Sequence, residues 1–99
     1  MLKGTEKQVA WAEDIIREAR ETISRNIEFK KQEEERNNVP GFFALEIEAF
    51  EKCGESLETM LAGIDSASKI IDMRSKLSSG SILRMVQEYC YVMRNRRTK

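Results

Sequence analysis

Apolar residues recur at every third or fourth position through the first third of the chain, which predicts a long amphipathic helix. The stripe consists of Val9, Ala12, Ile16, Ala19, Ile23 and Ile27. Trp11, Ile15 and Phe29 widen it to an arc of about 160°. An arc of this width suits contact with two neighbouring helices, and it predicts that Trp11 is buried.

Both ends of this helix carry recognisable signals. Thr5 and Gln8 have the spacing of a capping box, in which each side chain accepts a hydrogen bond from the other residue's backbone N–H. Pro40 disfavours helix just before it, so the element is predicted to end near residue 36. A helix over residues 5–36 is about 45 Å long.

Three further helical segments follow, over residues 42–53, 56–77 and 81–96. Gly54 is interpreted as a stop, and Ser81 as the cap of the last helix. The pattern leaves open whether residues 56–77 form one helix or two. No segment shows the alternation of a strand. The sequence therefore predicts one all-α domain over residues 1–99, a small bundle of four to five helices.

Composition narrows the class of protein further. The chain has 99 residues, 40% of them hydrophobic and 34% charged, and its formal net charge is zero. That content is too apolar for disorder, and no apolar run reaches the roughly 20 residues that span a bilayer. Without a secretory leader at the start, Cys53 and Cys90 are expected to be reduced thiols. We expect a cytoplasmic protein without membrane attachment.

The chain contains few candidate catalytic residues. The absence of histidine excludes Ser-His and Cys-His dyads, and two cysteines alone do not complete a zinc site. Ser66–Lys69 matches the short pattern S-x-x-K, but its companion motifs are absent. There is no glycine-rich phosphate loop. We therefore expect a protein that is not an enzyme and that uses no cofactor.

The C-terminal segment suggests nucleic-acid binding as the alternative function. Its candidate phosphate contacts are Arg84, Arg94, Arg96, Arg97 and Lys99. A basic end of this kind also complements the dipole of a C-terminal helix, and a neutral chain has no global attraction for phosphate. Nucleic acid is therefore the less favoured partner, and a small anionic ligand is a weaker hypothesis still.

Methionines raise a different hypothesis, a plastic binding groove. Four of them carry this hypothesis, Met60, Met73, Met85 and Met93. Methionine at such spacing more often fills a core, so the groove is the minor interpretation.

The N-terminal segment resembles a known group of proteins. "GTEKQVAWAEDI" is similar to the opening "GSEKQ…WA…I" of small uncharacterised proteins from Gram-positive bacteria, their phages and other mobile elements. The matching residues are Gly4, Glu6, Lys7, Gln8, Trp11, Ala12 and Ile15. Those proteins commonly carry a later "WIDNR"-like block, of which "IIDMR" here keeps Ile71, Asp72 and Arg74. Ile70 and Met73 depart from it.

The resemblance covers about a fifth of the chain and implies a phage or mobile-element setting, with no chemistry. Our physical interpretation is that Asp72 or Arg74 bonds the flank or end of the first helix, which would make both blocks structural.

The sequence finally predicts self-association, because the arc on the first helix is wider than one neighbour covers. The residues expected near a two-fold seam are Ile16, Ile23, Ile27 and Phe29. Together these patterns favour a non-enzymatic module that binds a protein partner of unknown identity or a second copy of itself.

Overall fold

Four helices account for most of the chain in the computed structural model, which describes residues 2–97 apart from the side chain of Arg97. They are α1 (Glu6–Arg36), α2 (Ala44–Ala62), α3 (Ala67–Asp72) and α4 (Ser79–Arg97). The predicted all-α bundle with a long N-terminal helix is confirmed. None of the helices within residues 2–97 combines the length and the apolar character needed to cross a membrane.

The capping box at the start of α1 is present as predicted. The backbone N–H of Gln8 donates to Thr5 Oγ1 at 3.2 Å, and that of Thr5 donates to Gln8 Oε1 at 3.1 Å. At the other end, Asn38 has a φ of +53°, a left-handed conformation that asparagine tolerates. The N–H of Phe43 then donates to Glu34 Oε2 at 2.7 Å, which ties the turn to α1.

The predicted break at Gly54 is wrong, because α2 runs without interruption from Ala44 to Ala62. Residues 42 and 43 belong to the preceding turn. Glycine in a helix interior costs about 1 kcal/mol relative to alanine. Buried Ile47, Phe50 and Leu57 lie on both sides of Gly54 in the chain, and their burial outweighs that cost.

The segment predicted over residues 56–77 is divided between two helices and two connections. Its first part completes α2, residues 63–66 form a link, and α3 occupies Ala67–Asp72. The link is extended because Lys3 pairs with it. The N–H of Lys3 donates to the Asp65 carbonyl at 2.6 Å, and that of Ala67 donates to the Lys3 carbonyl at 2.9 Å. This pairing, an isolated β-bridge, replaces the helix that the pattern suggested there.

The last helix begins at Ser79, so the prediction that Ser81 caps it is also wrong. The N–H of Ser81 donates to Ser78 Oγ at 3.3 Å, three residues earlier. That is the contact of an N-cap side chain, and it identifies Ser78 as the cap. Several neighbouring serines can cap a helix equally well, and the apolar periodicity does not indicate which of them does so.

The core forms where α1 packs against α2, α3 and α4. Its most deeply buried large side chains are Phe50, Ile70 and Ile82. Three helices therefore share the wide apolar arc of α1. The arc does not reach Trp11, whose side chain is 49% exposed, and the prediction that Trp11 is buried is wrong. Arg74, in the turn after α3, lies over the ring, which stays half-exposed.

Candidate protein-binding groove

An apolar groove lies between α2 and α4, and residues 73–77 contribute to its lining. Its volume is about 670 Å³, within the range of ligand-binding clefts. The apolar lining includes Cys53, Leu57 and Met60 of α2, Met73 and Leu77 of the connection, and Met85 of α4. We call this surface the α2/α4 groove.

Helical geometry brings these side chains together. Cys53, Leu57 and Met60 are spaced by four and three residues, so they follow one another along one side of α2. Leu77 is buried at the base, whereas Met60 and Met73 are half-buried and Met85 is 46% exposed. Three of the four methionines noted in the sequence thus line one groove. Met93 lies further along α4 and is not among the lining residues.

Methionine suits a surface that adapts to a partner, because its side chain is unbranched and its sulfur is polarizable. In a packed core the same residue would be fully covered, as Phe50 and Ile70 are here. The exposure of Met85 therefore distinguishes a groove from a core. The sequence pattern pointed to the methionines of this site, but it did not indicate that α2 and α4 leave a space between them.

The thiol in the groove lacks the surroundings of a reactive cysteine. Burial raises the pKa of the Cys53 thiol, and burial followed by the charge of Glu46 raises that of Cys90. A raised pKa keeps a thiol protonated and slow to react near neutral pH. Both cysteines are free. Within residues 2–97, no three Cys, Asp or Glu side chains are placed to hold a metal ion.

The C-terminal arginines do not share one surface in the part of the chain that is described. Arg84 lies on the edge of the α2/α4 groove, and Arg94 is bound to Glu46 of α2. Arg96 is exposed, and because successive residues are rotated by about 100°, it lies on roughly the opposite side of the helix from Arg94. The side chain of Arg97 and the whole of Lys99 lie outside the described residues.

The residues expected at a two-fold seam are distributed differently from the prediction. Ile23 is 6% exposed and belongs to the core, while Ile16 and Ile27 are half-buried against it. Phe29, 58% exposed, is the one of the four that is largely open. The apolar arc that motivated a dimer is mostly covered within the chain.

The two sequence blocks of the resemblance meet in space. Arg74 lies over the ring of Trp11, and Asp72 is the exposed last residue of α3. Gly4 has a φ of +152°, and a Cβ there would lie 3.2 Å from Ala67 Cβ and 3.0 Å from Gln8 Oε1. These contacts join the start of α1 to α3, which supports the structural interpretation of both blocks.

A second, broader concavity of about 1010 Å³ runs along α1 beside residues 61–65. Its arginines already have partners: Arg17 binds Asp14 at 2.7 Å, Arg20 binds Glu58 at 2.7 Å, and Arg25 binds Glu21 at 2.9 Å. This face has the paired charges of a solvated surface. We therefore place the candidate site in the α2/α4 groove, although it is the smaller space.

No protein-family model, no curated protein and no solved structure matches this chain.

Proposed function

We propose that this protein is a non-enzymatic interaction module that receives a helix of a protein partner in the α2/α4 groove. The observation that carries the proposal is the partial exposure of Met60, Met73 and Met85 around one apolar space. The phage or mobile-element setting implied by the N-terminal resemblance belongs to the same proposal.

The dimensions of the groove support a helix as its occupant. Groove-lining residues extend along α2 from Ala49 to Met60, a distance of about 17 Å at 1.5 Å per residue. Three turns of a docked helix have about the same length. Amphipathic helices dock in such grooves through apolar anchors spaced at i, i+3 or i+4, and i+7.

Two substitutions on one helix test the proposal. Met85→Arg places a long charged side chain at the groove, while Val92→Arg makes a comparable change two turns further along the same side of α4. The exposed fractions of Met85 and Val92 are 46% and 48%, so the two variants perturb folding to a similar degree. Val92 is not among the groove-lining residues.

The two variants and the wild-type protein would be used as baits in an extract of the organism that carries the gene. Circular dichroism would first verify that all three are folded. We expect a protein that is captured by the wild type and by Val92→Arg but is lost with Met85→Arg. Capture that is the same for all three baits, or that is lost equally with both variants, would contradict docking in the groove.

A further inference from the structure

The α2/α4 groove is bordered by more positive than negative charge. Lys52 of α2, Lys76 of the connecting segment and Arg84 of α4 line it, against the single acid Glu88. All four side chains belong to exposed residues. The three cations come from three different elements that line the groove.

These cations are weakly neutralised by the chain itself. Lys52 lies 3.7 Å from Glu55, an exposed pair one turn apart. Lys76 and Arg84 make no ion pair with any residue in the range 2–97, and this differs from the arginines along α1, which are paired. The positive charge at the groove edge is therefore available to a partner.

We infer that the helix received by the α2/α4 groove is acidic, with Asp or Glu residues flanking a row of large apolar anchors. The inference rests on the proposed function, because it specifies the partner of that same groove. Opposite charges at the edge of an interface guide the approach of the partner and select its orientation more than they add affinity. A basic helix with the same anchors would meet Lys76 and Arg84 and be repelled.

Synthetic peptides test the inference without knowledge of the natural partner. The acidic peptide has four helical turns with leucine at i, i+3 or i+4, and i+7, and with glutamate on both flanks. The basic peptide replaces each glutamate with lysine, and the serine peptide replaces each leucine of the acidic peptide with serine. Fluorescence anisotropy of labelled peptides would measure their dissociation constants for the full chain.

Charge reversal in the protein supplies the matched variants. Lys76→Glu with Arg84→Glu reverses the unpaired cations of the groove. Lys31→Glu with Lys69→Glu changes the net charge by the same amount at exposed residues of α1 and α3 that do not line the groove.

We expect the wild type to bind the acidic peptide about tenfold more tightly than the basic one, the effect of a few exposed charge pairs. The preference should weaken as salt is added, reverse in the Lys76→Glu, Arg84→Glu protein, and remain in the Lys31→Glu, Lys69→Glu protein. The serine peptide should not bind.

Three results would overturn the inference. The first is equal affinity for the acidic and basic peptides, and the second is a preference that the groove variant leaves unchanged. The third is no binding of the acidic peptide at millimolar concentration. After any of these results, the capture experiment with Met85→Arg would still test the proposed function independently. A single-stranded DNA that binds the wild type more tightly than the acidic peptide, and loses affinity in the groove variant, would assign the cations to nucleic acid instead.

Discussion

The guanidinium carbon of Arg74 lies 5.4 Å from the centroid of the Trp11 ring, a cation–π contact between the turn after α3 and the flank of α1. Arg74 Nη1 also donates to the Ile71 carbonyl at 2.8 Å, which holds the guanidinium in place. Trp11 is the only tryptophan in the chain, and its half-exposed ring is covered by a charged side chain on one face.

The first prediction is that Trp11→Ala destabilises the protein by about 2 kcal/mol, less than the 3–5 kcal/mol typical of fully buried aromatic residues. Arg74→Ala is expected to cost about 1 kcal/mol, because it removes the cation–π contact and one hydrogen bond. Urea denaturation of the two single variants and the double variant should give a coupling energy of about 0.5–1 kcal/mol.

Arg96→Ala is the control for this cycle, because Arg96 is an exposed arginine of α4. Its combination with Trp11→Ala should be additive. Additivity between Trp11→Ala and Arg74→Ala would show that the two side chains do not interact in solution.

The second prediction concerns Gly4, where both the backbone conformation and the neighbouring atoms resist a side chain. Gly4→Ala should destabilise the protein by about 1–3 kcal/mol, because φ is +152° and the new methyl group would press on Ala67 and Gln8. Gly80→Ala is the matched control. No atom within 4 Å would contact its Cβ, so it should stabilise the first turn of α4 by up to about 1 kcal/mol. Thermal denaturation would measure both, and similar melting temperatures for the two variants would contradict the contact at Gly4.

The third prediction follows from the position of Gly54 inside α2. A Cβ at Gly54 would lie 3.6 Å from Ile23 Cγ2, which is ordinary van der Waals contact. Gly54→Ala should therefore raise the free energy of unfolding by about 0.5–1 kcal/mol, since alanine favours helix more than glycine does. If α2 ended at Gly54 in solution, the substitution would lower the stability instead.

The fourth prediction is a pH-dependent contribution from Arg20 and Glu58, which join α1 to α2. Arg20 Nε and Nη2 donate to the two carboxylate oxygens of Glu58 at 2.8 and 2.7 Å. This hydrogen bonding lowers the pKa of Glu58 below its ordinary value of 4.5. The stabilisation is therefore present above that value and is lost as the pH falls through the lower pKa of the folded state.

Glu58→Gln should lower the free energy of unfolding by less than about 1 kcal/mol at neutral pH, because both side chains are half-exposed. The difference from the wild type should be smaller at about pH 2 than at neutral pH, because protonation of Glu58 removes its ion pair with Arg20. Urea denaturation at the two pH values measures the effect. Glu51→Gln, also exposed on α2, is the control. An equal loss of stability in that variant would show that the effect comes from the change in net charge and not from the Arg20–Glu58 pair.

Local signals predicted the parts of this fold that depend on neighbouring residues in the chain. The capping box of Thr5 and Gln8 and the end of α1 at Arg36 were predicted because each involves residues within a few positions. The helix break predicted at Gly54 does not occur, because the packing of α2 overrides the low helix propensity of glycine.

The candidate site depends on how the helices pack against one another, which the sequence pattern does not show. Met60, Met73 and Met85 share an apolar pattern with the core, and only the space between α2 and α4 gives them a different environment. The exposure of Trp11 likewise depends on what packs over its ring, and Arg74, 63 positions later in the sequence, is the residue that does so. Lys76 and Arg84 lie eight residues apart in sequence and come to one groove through the turn between α3 and α4.

The pairing of Lys3 with the link after α2 has a consequence for the order in which the chain acquires its structure. Its hydrogen bonds join residues about sixty positions apart, so they enclose a long loop whose closure is entropically unfavourable. The capping box needs only four consecutive residues and can form as soon as they are synthesised. The hydrogen bonds to Lys3 require Asp65 and Ala67, so they form only after the capping box, although Lys3 precedes the box in the sequence.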